Sequence, residues 1–169
     1  MKQLLFTLFS LFAFTGLQAQ DVPTDALYGV GTWNADLLGN HRVVVAVDKP
    51  ADAVLATIEW RRRDLDPEAK NLIVVDAATG ERVTNVCRFA IDRERGEVVF
   101  QPQTVPGEYY IYYLKNVMSG SPYYPTVNYP AFENTASADW IKKNKLSGKK
   151  APALPAAKVV QFQAINEMN

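Results

Sequence analysis

The chain has 169 residues, 48% of them hydrophobic and 21% charged, which is the make-up of an ordinary folded domain and excludes collagen-like, coiled-coil and disordered readings. Its 18 Lys plus Arg balance 18 Asp plus Glu, so there is no electrostatic footprint for nucleic acid. One Cys and one His cannot build a disulfide framework or a Cys/His zinc cluster, and neither a metal nor a cofactor is expected.

At the N-terminus, Met1-Lys2-Gln3 is a short positive leader followed by the apolar run Leu4 to Phe14 and the more polar Thr15-Gly16-Leu17-Gln18-Ala19. This order reads as a secretory signal peptide over residues 1–19. The apolar run is shorter than the roughly 20 residues a spanning helix requires. Export to the periplasm or beyond is therefore expected, with no membrane span left in the mature chain. The lone Cys87, between Val86 and Arg88 and close to Phe89, reads as a buried structural thiol.

Residues 20–146 carry a succession of short strand patterns. Gly29-Val30-Gly31 is too short for a dinucleotide fingerprint and marks a close approach of backbone. Arg42 to Val47 is a β-branched run, and Ala53 to Trp60 places Val54, Ala56, Ile58 and Trp60 on alternate positions, the period of a half-buried strand. Asn71 to Val75 is another β-branched run, and Asp76-Ala77-Ala78-Thr79-Gly80 supplies the turn chemistry for a hairpin into Glu81 to Phe89. Arg93 to Gly96 punctuates, Glu97 to Gln101 extends, Pro102 to Gly107 turns, and Glu108 to Leu114 extends again. Large residues fill both faces of Gly107 to Leu114, so this strand is central or carries a second layer outside.

One helix is expected late in this region, capped by Asn134 or Thr135, with Asp139 in its first turn, Trp140 and Ile141 facing inward, Lys142, Lys143 and Lys145 at its negative end, and Gly148 closing it. Residues 147–169 form a Pro-containing connector and a terminal strand, Lys158 to Ile165. Short strands at regular intervals, with one short C-terminal helix, predict a mainly all-β fold, an antiparallel β-sandwich.

Two clusters carry chemistry. In Trp60-Arg61-Arg62-Arg63-Asp64, neighbouring Arg side chains on a strand point to opposite faces, so at least one needs a protein carboxylate. Trp60, Arg61, Arg62 and Arg63 suit a sugar or an acidic partner through stacking and bidentate hydrogen bonds, and equally suit a salt-bridge network with Asp64, Asp66 and Glu68. The second cluster, Ser119 to Pro130, is longer than a simple hairpin connection. There Tyr123, Tyr124 and Tyr129 can stack on pyranose rings or can cover an open edge of the sandwich. His41 has no nucleophile motif beside it and reads as a packing or turn residue. Neither a phosphate loop nor a nucleophile elbow is present, and no two acidic residues are adjacent in the chain.

The segments Leu38-Gly39-Asn40-His41-Arg42, Trp60-Arg61-Arg62-Arg63-Asp64, Val74 to Gly80, Phe100 to Tyr110, Asn128-Tyr129-Pro130 and Asn134-Thr135-Ala136 lie in an order that resembles the N-terminal region of a bacterial glycoside hydrolase-like family akin to glycoside hydrolase family 123. The resemblance implies an N-terminal β-sandwich packed on a following (β/α)₈ barrel that holds the catalytic acids, an Asp-Glu pair that assists the acetamido group of an N-acetylgalactosamine substrate. A barrel takes about 200 residues or more, so no catalytic residue can be assigned here.

The expected function is a non-catalytic accessory domain of a secreted glycoside hydrolase-like protein, with the barrel as partner and a glycan as a further contact. The alternatives are a free-standing carbohydrate-binding module, a periplasmic protein-interaction domain, or a small enzyme using spatially paired carboxylates such as Asp64 and Glu108. The Tyr-rich strand and the terminal strand are expected to leave an apolar patch for a barrel to cover.

Overall fold

The structure, a computed structural model, describes residues 27–60, 64–115 and 117–165. Residues 1–19 of the expected signal peptide lie outside them.

Ten strands are observed among these residues: β1 (Leu27–Val30), β2 (His41–Val47), β3 (Val54–Glu59), β4 (Leu72–Asp76), β5 (Val86–Ile91), β6 (Arg95–Phe100), β7 (Gly107–Tyr113), β8 (Val117–Ser121), β9 (Tyr124–Asn128) and β10 (Ala156–Ala164). Two short helices, α1 (Ala35–Leu38) and α2 (Ala138–Lys143), and a 3₁₀ turn at Pro67–Ala69 complete the set. The mainly all-β expectation holds.

Eight strands form one sheet in the order β4-β7-β2-β10-β3-β6-β5, with β1 also paired to β10. The sheet folds over so that its halves face each other. Val43, Val45, Leu72, Val74, Tyr109, Ile111 and Tyr113 from one half meet Val54, Ala56, Ile58, Val86, Val98 and Phe100 from the other in a single core cluster. Alternation sets this up: on β3 the core residues Val54, Ala56 and Ile58 alternate with Leu55, Thr57 and Glu59. Burying a side chain such as Ile58, fully enclosed here, contributes about 1.5–3 kcal/mol.

The last strand, expected only as a terminal strand, lies inside the sheet. β10 pairs antiparallel with β2 over Lys158–Ala164, parallel with β3 at Ala156 and Ala157, and parallel with β1 over Gln161–Ala164. It thus joins the two halves of the sheet, and the pairing is antiparallel except at these two places. β7 is likewise central, between β4 and β2, with Tyr109, Ile111 and Tyr113 inside. Both strands are interior to the pairing order, and the apolar side chains left exposed beside them are Val160 on β10 and Tyr28 and Val30 on the adjoining β1. A strand with apolar residues on both faces is more stable with a neighbour on each side than at an edge.

Local chemistry accounts for the turns. Asp76 Oδ1 accepts from the backbone N–H of Ala78 (2.9 Å) and Thr79 (3.3 Å), and Gly80 closes the turn at φ 73°. The hairpin expected beyond it shrinks to one bridge, Val75 to Arg82, before the chain crosses to the other half and β5 pairs with β6. Tyr109 ties down the 102–107 turn: its hydroxyl accepts from Gln103 N (2.7 Å) and Thr104 N (2.8 Å) and donates to Thr104 O (2.7 Å). Gly39, at φ 78°, lies so close to β7 that a Cβ would stand 2.2 Å from the Tyr113 carbonyl oxygen. At Gly29 and Gly31, where a close approach of backbone was expected, side chains lie close instead: a Cβ would fall 2.6 Å from Gln161 Nε2 at Gly29 and 2.5 Å from Trp33 Cζ3 at Gly31.

The late helix forms with a different cap and an earlier end. Ser137 Oγ, not Asn134 or Thr135, accepts from Trp140 N (3.2 Å), because Thr135 donates its hydroxyl to Thr84 O and Asn134 turns to Ala136 N. The helix stops at Lys143, with Asn144 as its C-cap and Lys145 at φ 57°, short of Gly148. Trp140 and Leu146 seal a second core cluster on the outer face of β3, β5 and β6, where Cys87 and Phe89 pack partly buried. No helix among the described residues is long and apolar enough to cross a membrane.

Candidate functional site

The segment read as a long loop is itself a hairpin. β8 and β9 pair in antiparallel register from Val117–Asn128 to Ser121–Tyr124, forming a separate two-stranded sheet. Ser, Gly and Pro throughout the segment hide a strand pattern, while Pro122-Tyr123 supplies a two-residue turn that Ser121 Oγ steadies by accepting from Tyr123 N (3.2 Å). Asn128 Nδ2 donates across the hairpin to Ser119 Oγ (2.9 Å).

No residue from Val117 to Phe132 is charged. At the tip, Tyr123 is 87% and Tyr124 84% exposed, and Val117 and Met118 are exposed on β8. A hairpin without a third strand is marginal in water, so its open rings and edges can be covered by another surface at low cost. Tyr129, grouped with these two tyrosines in the sequence reading, stands apart from them. It is half-buried at the base of the arm, where its hydroxyl accepts from Asp66 N (3.2 Å). Nearby, Asn71 Nδ2 donates to Ala131 O (3.3 Å).

The Trp60 cluster lies elsewhere. Trp60 is half-buried, meets Tyr113 edge-on at 4.7 Å between centroids, and donates its indole N–H to Asp92 O (2.8 Å). Its ring lies on Gly96, where a Cβ would stand 2.1 Å from Cη2. Gly96, expected to punctuate a turn, is therefore a strand residue that seats an indole. Arg61, Arg62 and Arg63 lie outside the described residues. Asp64 pairs with the buried Lys70 at 2.8 Å, and Asp66 caps the 3₁₀ turn by accepting from Ala69 N (3.2 Å). Glu108, the other carboxylate considered, is exposed on β7 opposite Ala46. His41 opens β2 between Tyr113 and Ala164.

Beside the base of the arm is a depression of about 310 Å³ lined by Glu68, Arg88, Phe89, Ala90, Ile91 and Phe132. The Arg88 guanidinium stacks on Phe132 at 3.8 Å and donates to the carbonyl oxygens of Glu68 (3.2 Å) and Lys70. Burial lowers its pKa from the ordinary value. These bonds tie the strand, the 3₁₀ turn and the chain leaving the arm to one another, which makes Arg88 a clamp at the hairpin's root.

Comparison with known proteins found a family-model match to the glycoside hydrolase 123 N-terminal domain over residues 31–165. No curated protein and no solved structure matched. The match takes in all of the folded body from the turn after β1 to the end of β10, and the chain belongs to the glycoside hydrolase 123 N-terminal domain family.

Proposed function

We propose that this domain is a non-catalytic accessory module of an exported glycoside hydrolase-like protein, and that it supports a catalytic (β/α)₈ barrel. The observation that supports this best is the family match itself. It falls on the sandwich, which occupies the described residues almost completely, whereas a barrel takes about 200 residues or more of its own. The N-terminal leader Met1 to Ala19 supports export. In this reading the β8–β9 arm is the contact element, because its rings have no partner strand and its composition of Tyr, Ser, Gly, Thr and Asn suits adaptable, uncharged recognition.

A second reading is favoured by the same exposed tyrosines: a carbohydrate-binding module that stacks Tyr123 and Tyr124 on a neutral glycan. Two measurements separate them. The purified chain, assayed on aryl glycosides, is expected to release no aglycone. In affinity gels containing neutral polysaccharides, unretarded migration supports the accessory reading. Retardation that disappears in the Tyr123→Ser/Tyr124→Ser variant establishes the binding module instead. Hydrolysis lost on altering one of the chain's own carboxylates overturns both.

A further inference from the structure

The outer face of the β4-β7-β2-β10 half carries a cluster that the hairpin reading does not use. Arg42 on β2 lies beside Tyr112 on β7 and Gln163 on β10, its cross-strand neighbours. Its guanidinium stacks 3.7 Å from the Tyr110 ring centroid and 4.6 Å from that of Trp33. Nε donates to Gln163 Oε1 (2.6 Å) and Nη1 to Tyr112 Oη (2.8 Å). Gln163 is held in turn, donating Nε2 to Gln161 Oε1. Trp33 is fixed by its indole N–H on Gly39 O (2.7 Å) and by an edge contact to Tyr112. The backbone of Gly29 and Gly31 lies against this layer, with no side chains of its own to displace Gln161, Gln163 or Trp33.

Every hydrogen-bond partner of this half-buried cation among the described residues is neutral, and none of their carboxylates pairs with it. Nη2 makes no hydrogen bond among the described residues. The cation is thus oriented, ringed by aromatic groups, and left with an open donor and an uncompensated charge. A carboxylate completes such a guanidinium through charge-assisted hydrogen bonds. Around it stand a phenol, two side-chain amides and a half-exposed indole, which match hydroxyls and the C–H face of a sugar ring better than they match a bare anion.

We propose that Arg42, Trp33, Tyr112 and Gln163 form a binding site for the carboxylate of an acidic sugar, a uronic acid residue of a glycan. The site is separate from the β8–β9 arm and does not depend on that arm's role.

The test titrates the full chain with a uronic acid disaccharide, its neutral counterpart and a triglutamate peptide, following the three indole N–H resonances by NMR. Saturable movement of the Trp33 resonance by the uronate, at least tenfold weaker with the neutral disaccharide and with the peptide, supports the site. Gln163→Glu is the informative variant because it is nearly isosteric and gives Arg42 a carboxylate of its own. It is expected to fold and to abolish uronate binding. No Trp33 movement with uronate overturns the proposal. So does unaltered uronate binding by Gln163→Glu, and equal binding of the peptide shows an acidic protein partner instead of a sugar.

Discussion

Asp76 offers the sharpest test of how the turns hold this sandwich together. Its side chain is fully buried, and three backbone N–H groups point at it: Ala78 and Thr79 at Oδ1, and Thr104 at Oδ2 (3.1 Å). It therefore links the turn after β4 to the turn before β7. Burial pushes its pKa up, but the hydrogen bonds from Thr104, Ala78 and Thr79 outweigh this and leave it below the ordinary 3.8. Asp76→Asn keeps an oxygen for Ala78 and Thr79 but sets an amide NH₂ against the Thr104 N–H. One charge-assisted bond becomes a donor facing a donor, a loss of about 2 kcal/mol. Asp76→Ala leaves Ala78 N and Thr79 N without an acceptor, while Thr104 N keeps the Tyr109 hydroxyl, and is expected to cost about 3 kcal/mol, a large part of the roughly 5–15 kcal/mol available to a small domain.

Urea unfolding at pH 7, followed by tryptophan fluorescence, measures both losses. The pH dependence gives an independent check. A carboxyl whose folded pKa is depressed contributes stability above its unfolded pKa and loses it as pH falls through the folded value. The gap between the parent chain and Asp76→Asn should therefore be constant from pH 7 to about 5 and narrow below about 4. An Asp76→Asn variant within about 0.5 kcal/mol of the parent at pH 7, or a gap that ignores pH, refutes the argument.

Two further outcomes follow from the packing. Gly96→Val places a Cβ inside the space of the Trp60 ring, whose Cη2 would be 2.1 Å away. The indole must leave its seat on Tyr113, so a loss of about 2–4 kcal/mol and a changed near-ultraviolet circular dichroism spectrum are expected. Cys87 is half-buried under the second core cluster, and burial raises its thiol pKa above the ordinary 9.0. Alkylation by iodoacetamide at pH 8 should therefore run well below the rate of a free thiol and accelerate on adding urea; labelling at the free-thiol rate in buffer contradicts this placement.

Much of the strand content was readable in the chain because alternation is a local property. Val54, Ala56 and Ile58 show it without help, and Asp76 to Gly80 announces its turn through Asx and glycine chemistry. The family was also within reach, since the ordered segments from Leu38 to Ala136 fall inside the matched residues 31–165. The β8–β9 hairpin was hidden because its strands are built from Ser, Gly, Pro and Asn, which signal loops, and only cross-strand pairing makes them a ribbon. The helix cap moved to Ser137 because distant groups, Thr84 O among them, had claimed one of the expected capping side chains.

Partnerships between remote segments were decided by the tertiary structure alone. A strand pattern states which residues share a face but not which strand lies beside it, so β10 could be read only as a terminal strand although it joins the two halves of the sheet. The same reason hid the cluster at Arg42. Its hints were a lone cation at the start of a β-branched run and Tyr110 and Tyr112 two residues apart on a crowded strand. Their meeting with Trp33, Gln161 and Gln163 depends on register across β1, β2, β7 and β10, set by how the whole core packs. Composition and periodicity determined that this chain folds as a β-rich domain; side-chain packing decided where its charges and open rings came to rest.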